Sequence, residues 1–183
     1  MLNWEQLINQ CNNCNKCGLA SQRTNVVIGD GNRNANIMMI GEGPGEQEDL
    51  IGIPFVGAAG RLLNLLLDGL GVSRADCYIA NVVKCRPPMN RIPFENEAEA
   101  CLPYLQNQIE LIKPKIIVCL GATALKYVVG SSAKITRDRG QWMKINSAWI
   151  MPTFHPAALL RDNDKKILMW QDFKKVRAKM EEI

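Results

Sequence analysis

Four short apolar segments, each five to seven residues long and each followed by a glycine or proline break, constrain this chain more than any other feature. They are Asn36–Ile40 (NIMMI, before GEGPG), Cys77–Val83 (CYIANVV, before KCRPP), Lys115–Leu120 (KIIVCL, before GA) and Ala148–Phe154 (AWIMPTF, before HP). Runs of this length between breakers read as buried strands. Helical patterns alternate with them at Arg61–Gly71, Glu95–Ile112, Ala122–Val129 and Lys165–Glu182. That alternation predicts an α/β fold, with a central four-stranded parallel sheet covered by helices on both faces. No repeat, low-complexity tract or linker divides the chain, so residues 1–183 read as one domain. Open parallel sheets bind ligands beyond the carboxyl ends of their strands. Here those ends carry Gly41–Gly45, Lys84–Pro88, Gly121 and His155–Pro156, and a site is expected along that edge.

Composition removes several classes of function. With 47% hydrophobic and 22% charged residues, the chain has the balance of a globular protein rather than a disordered one. Its longest apolar run, Ile116–Leu125, spans ten residues. A membrane helix needs roughly 18, so no membrane association is expected. The first ten residues include Glu5 and lack a long apolar stretch, which is not a secretory pattern, and a cytoplasmic location is expected. Twenty-two basic against eighteen acidic residues permit nucleic acid as a partner without requiring it. Seven cysteines, an odd number, in a reducing compartment point to metal or catalysis rather than disulfides.

Three groups of residues could carry chemistry. The segment GEGPGEQED (Gly41–Asp49) lets a backbone approach a ligand closely, but it has neither a Walker nor a dinucleotide pattern. Its carboxylates Glu42, Glu46, Glu48 and Asp49 also suit a helix start, and Glu42 stands at the strand end. His155, the only histidine, also follows a strand. A carboxylate for a cationic sugar and a donor for the leaving group are what a glycoside-type cleavage needs, and Glu42 and His155 supply them. Of the cysteines, Cys77 and Cys119 sit within strands and read as buried thiols. Cys11, Cys14 and Cys17 form CxxCxxC, with Cys85 and Cys101 distant in sequence. A close pair plus two remote thiols suits zinc or an iron–sulfur cluster, and spacing does not choose between them, nor between Cys11 and Cys17 as the partner of Cys14. If a metal pins the loop around Cys85, then Lys84, Arg86 and Arg91 form a cationic patch suited to phosphates. The basic residues of the last segment, Lys174, Lys175, Arg177 and Lys179, read as a solvated face.

Taken together, CNKCGLA, GEGPGEQED, PFVGAAG, NVVKCRPP followed by NR, Cys101 and HPAALLR resemble the iron–sulfur, family 4 branch of the uracil-DNA glycosylase superfamily, from about Cys14 to Arg161. The resemblance implies a three-layer α/β/α sandwich with a four-stranded parallel sheet. It implies a [4Fe–4S] cluster on Cys14, Cys17, Cys85 and Cys101, with Cys11 outside the pattern. It further implies Glu42 and His155 as catalytic residues with Glu48 as an accessory carboxylate. Gly43, Phe55, Asn81 and His155 would bind the base, Phe55 by stacking and Asn81 by reading its edge. Arg86, Leu159, Leu160 and Arg161 would meet DNA, the leucines as a wedge filling the vacated base stack. The partner implied is uracil-containing DNA, and a monomer is expected.

Three other classes compete. A relative that traps uracil-DNA covalently through a histidine carries a KRRIH-type insertion, whereas this chain has one histidine, in HPAALLR. A DNA-binding module with structural zinc would be colourless where a cluster protein is brown. An accessory domain of a polymerase-like protein is a further possibility that so short a chain does not favour.

Overall fold

The computed structural model describes residues 1–183. Six strands form one sheet: β1 (Asp30–Gly31), β2 (Ile37–Gly41), β3 (Cys77–Asn81), β4 (Ile116–Leu120), β5 (Met143–Ile145) and β6 (Ala148–Thr153). Their order across the sheet is β1-β3-β2-β4-β6-β5. The four expected strands lie at its centre and run parallel. The sheet is nonetheless mixed rather than four-stranded and parallel, because β1 and β5 add antiparallel edges. Neither carries an apolar run. β1 is two exposed residues, and β5 is three residues, none of them fully buried. The β5–β6 hairpin turns at Asn146, whose φ of 51° is the left-handed geometry that tight hairpins favour.

Side chains alternate across β2, so each face of the sheet has its own core. Met38 and Ile40 face a layer made by α1 (Trp4–Asn12), α4 (Glu95–Ile112) and α5 (Ala122–Val128). Ile37 and Met39 face α3 (Ala58–Gly69), α7 (Pro156–Leu159) and α8 (Asn163–Glu182). Two further short helices, α2 (Glu46–Ile51) and α6 (Ile135–Asp138), lie in the connections. Local caps fix where the first-layer helices begin. Asn3 and Gln6 exchange side-chain and backbone hydrogen bonds at the start of α1, and Glu97 accepts from the Phe94 N–H at the start of α4. Both helices carry cysteines inward, Cys11 on α1 and Cys101 on α4. On the opposite layer, the fully buried Asp172 of α8 accepts from Arg139 and from the Thr153 hydroxyl, which docks α8 against the end of β6. No helix is long and apolar enough to cross a membrane.

Candidate active site

The carboxyl ends of β2, β3, β4 and β6 open onto a cleft of about 570 Å³. That is ample for a nucleobase and its sugar. Glu42, Phe55, Asn81 and His155, which the family resemblance puts together, all line it. The sheet register does this: Gly41 pairs with Asn81, so the residues that end β2 and β3 arrive side by side.

Asn81 is 1% exposed, and its Oδ1 is a buried side-chain oxygen without a hydrogen-bond partner. A buried acceptor left unpaired costs about 1–3 kcal/mol, and the place of Asn81 on the cleft lets a ligand supply the missing donor. Beside it, Gly41 has no room for a side chain. A Cβ there would stand 2.5 Å from Asn81 Oδ1 and 2.6 Å from the Phe55 ring. The ring and the amide therefore flank a narrow slot.

Phe55 holds a left-handed backbone, φ 53°, which costs a non-glycine residue about 1–2 kcal/mol. Its neighbours enforce it. Arg74 donates to the carbonyls of Pro54 (2.6 Å) and Phe55 (2.9 Å), while Glu48 Oε1 accepts from the N–H groups of Val56 and Gly57, both at 2.8 Å. Gly60 completes the clamp, since a Cβ at this position would fall 1.9 Å from the Phe55 carbonyl oxygen. The expected accessory carboxylate Glu48 thus has one oxygen committed to the loop that carries Phe55.

His155 stacks at 5.5 Å and 31° from the Phe55 ring. Its Nδ1 accepts from the Ala157 N–H at 3.1 Å, so the proton of the neutral ring sits on Nε2. Burial pushes its pKa down to about 4, against a partial upward pull from the Glu48 charge. Glu42 is half-buried and accepts a short hydrogen bond from the Thr123 hydroxyl, at the start of α5. Thr123 and Arg74 carry no motif, and neither was legible in the sequence. Gly43 lines the cleft with its Cα against Val83, where a Cβ would come within 2.7 Å of that side chain.

Several expected surface residues lie elsewhere. Leu159 is not a wedge: it is 1% exposed and belongs to the core beneath α7, because a four-residue helix turns this member of the leucine pair inward. Leu160, 53% exposed, and Arg161 remain at the surface. The cationic patch is also redrawn. Lys84 is fully buried, and Arg91 is held by both oxygens of Glu97 while lying 3.7 Å over the Phe94 ring. Arg86 donates to Asn90 at 2.7 Å and lies 3.8 Å from Glu46. The tip of this loop holds Met89 and Asn90 with φ of 54° each, and Met89 is 92% exposed.

On the other side of β3, Cys14, Cys17, Cys85, Cys101 and Cys11 line one small, largely apolar cavity. Arg23 donates to Cys85 Sγ at 3.3 Å, and the Lys84 N–H donates to Cys101 Sγ at the same distance. Burial pushes the Cys11 thiol up to about 12 and Cys101 to about 11, with Lys84 opposing both. Thiols that burial keeps neutral ionise when a metal centre supplies the compensating charge. An all-sulfur donor set with N–H donors aimed at two of the sulfurs fits an iron–sulfur centre. Cys77 and Cys119, buried in their strands, lie apart from this cavity.

Comparison with known proteins agrees with this geometry. The family model of the uracil DNA glycosylase superfamily matches residues 28–177. A type-4 uracil-DNA glycosylase of Thermotoga maritima is 48% identical over 171 residues, covering 90% of this chain and 88% of the relative. One from Sulfurisphaera tokodaii is 46% identical over 182 residues, covering 94% and 83%. One from Archaeoglobus fulgidus is 40% identical over 181 residues, covering 94% and 90%. With a match that runs from the first strand into the last helix, the chain belongs to the uracil-DNA glycosylase superfamily, in its type-4 branch.

Proposed function

We propose that this protein removes uracil from DNA by hydrolysing its N-glycosidic bond, leaving an abasic site, and that residues 1–183 act as one domain and as a monomer. The observation that carries this reading is the unpaired Oδ1 of Asn81 in a slot walled by Phe55, with Glu42 and His155 on the same cleft. A base stacked in a duplex cannot reach such a slot, so the nucleotide must be flipped into it. Phe55 offers a π-face to any base and supplies no discrimination. Asn81 does: its Oδ1 accepts the uracil N3–H while its amide N–H donates to O4, and cytosine presents the reversed pattern. Leaving buried polar groups unpaired can reject the wrong base by ~10⁴-fold or more.

When the C1′–N1 bond breaks, its electron pair leaves with uracil, whose O2 carries part of the charge, and the sugar becomes cationic. His155 meets the first charge as a neutral donor through Nε2–H, since Nδ1 is already accepting from Ala157. Glu42, held by Thr123, stabilises the sugar cation and takes the proton of the water that adds at C1′. Glu48 acts through the Phe55 loop rather than at the sugar. Leu160 and Arg161 meet the DNA at the cleft mouth, and Arg86 belongs to the loop opposite. Cys14, Cys17, Cys85 and Cys101 would hold a [4Fe–4S] cluster. Bound there, the cluster supplies a covalent tie between chain segments, and base excision asks no redox step of it.

The test is excision from a labelled oligonucleotide bearing one uracil, read by alkaline cleavage, with a thymine oligonucleotide as control. Cleavage at uracil alone is expected. Retention of uracil-DNA without cleavage by brown, folded protein would overturn the enzyme reading in favour of a non-turnover binding protein. Glu42→Gln is expected to reduce single-turnover excision by about 10²–10⁴-fold while uracil-DNA binding in a mobility-shift assay survives. Unchanged turnover would remove Glu42 from the chemistry.

A further inference from the structure

Lys84 is a lysine with 2% of its surface exposed, inside the layer between the cleft and the thiol cavity. Lysines are almost never fully buried unless paired. This one has two partners. Its Nζ donates to the backbone carbonyl of Asn81 at 2.7 Å and to Gln108 Oε1 at 2.6 Å. An amine in either protonation state can donate both bonds. Gln108, itself fully buried on α4, is fixed in turn, donating through Nε2 to the Ile28 carbonyl and the Tyr78 hydroxyl. The main chain of Lys84 faces the other way, its N–H on Cys101 Sγ. The next residue is Cys85. One residue therefore touches Asn81 with its side chain and a cavity thiol with its backbone.

We infer that Lys84 is a positioning residue for base recognition, holding the end of β3 so that the Asn81 amide presents its unpaired oxygen into the slot and linking that orientation to the backbone beside the thiol cavity. The inference rests on the reading of Asn81 as the residue that contacts uracil. Its physical basis is the accounting of buried acceptors. Without the ammonium, the Asn81 carbonyl and Gln108 Oε1 lose their shared donor, and Asn81 must move to recover one. Its charge also favours the ionised form of Cys11 and Cys101, but that role does not call for the two hydrogen bonds it donates to Asn81 and Gln108. A hydrophobic residue of similar length would fill the space without demanding that two acceptors be brought together.

The experiment compares wild type, Lys84→Met, Asn81→Ala and the double variant, each first checked for the visible absorption of the cluster and for its melting temperature. Free-uracil affinity is read by equilibrium dialysis, and kcat/KM by single-uracil oligonucleotide cleavage. Lys84→Met is expected to keep its colour and to weaken uracil binding about tenfold. If Lys84 acts through Asn81, the substitution adds little in the Asn81→Ala background, whereas a purely structural role gives additive losses. A brown, folded Lys84→Met protein with wild-type uracil affinity, or strict additivity, overturns the inference. Should Lys84→Met not fold, Gln108→Met removes only one of the two acceptors, and unchanged uracil affinity there is equally fatal. A wild type that neither binds nor excises uracil would instead sink the functional reading itself.

Discussion

Two residues at the strand ends set the chemistry at its smallest scale. Gly41 is glycine because a Cβ would intrude between Asn81 Oδ1 and the Phe55 ring. Gly41→Ala is expected to reduce kcat/KM on uracil-DNA by about a hundredfold or more, because displacement of about an ångström at a reacting site has that cost. Steady-state kinetics on folded variant protein checks this, and wild-type kinetics would mean that the slot is not where the base sits. His155 makes a prediction about protons. As the sole histidine, it gives one imidazole signal by NMR, expected to titrate near pH 4 rather than 6.5. Because the folded value lies below the unfolded one, the unfolded chain binds the extra proton first. The stabilisation from the neutral ring is complete above about pH 6.5 and is lost as pH falls towards 4, at up to about 1.4 kcal/mol per pH unit. A signal titrating at 6.5 would contradict the half-buried, neutral donor.

At the scale of elements, the segment between α2 and α3 shows a strained conformation maintained from both sides. Glu48 holds its N–H groups and Arg74 its carbonyls, so Phe55 keeps a backbone geometry it would not choose alone. Glu48→Ala is therefore expected to lower the melting temperature and to raise KM for uracil-DNA more than it lowers kcat. Thermal melting and a KM-against-kcat comparison test this. A loss confined to kcat would return Glu48 to the sugar. The clamp also marks the limit of motif reading. GEGPGEQED identifies an acidic turn, but the partner of Glu48 is backbone eight and nine residues away, and Arg74 reaches in across nineteen and twenty. Such hydrogen bonds leave no periodicity in the sequence.

For the whole molecule, the thiol cavity joins parts of the chain that are distant in sequence: the end of α1 and the turn after it, the loop after β3, and α4. If the cavity holds the proposed cluster, Cys85→Ser is expected to lower its visible absorption and the melting temperature together, and to expose the 86–94 loop to proteolysis. A colourless but equally stable protein would show that the tie is dispensable. Loss of the tie also bears on the cleft, since Asn90 and Arg91 of that loop line it. The loop that carries Cys85 to the thiol cavity thus also lines the cleft.

The four central strands, the α4 boundaries at Glu95 and Ile112, and a site at the strand ends carrying Glu42 and His155 were legible in the sequence, because apolar runs and breakers are local and strand ends in a parallel sheet converge, while Phe55 and Asn81 were added to that site by the family resemblance alone. The edge strands were not, since two or three exposed residues pair only where a neighbouring edge is already in place. Nor was the fate of Leu159 and Lys84. Adjacent leucines look alike until a short helix turns one inward, and a lysine in a basic loop looks solvated until Asn81 and Gln108 appear beside it. The sequence by itself determined which segments become the central strands and which loops end them at the cleft. Tertiary structure decided what each polar group is bonded to, because burial and hydrogen-bond partners belong to pairs of residues that only folding brings together.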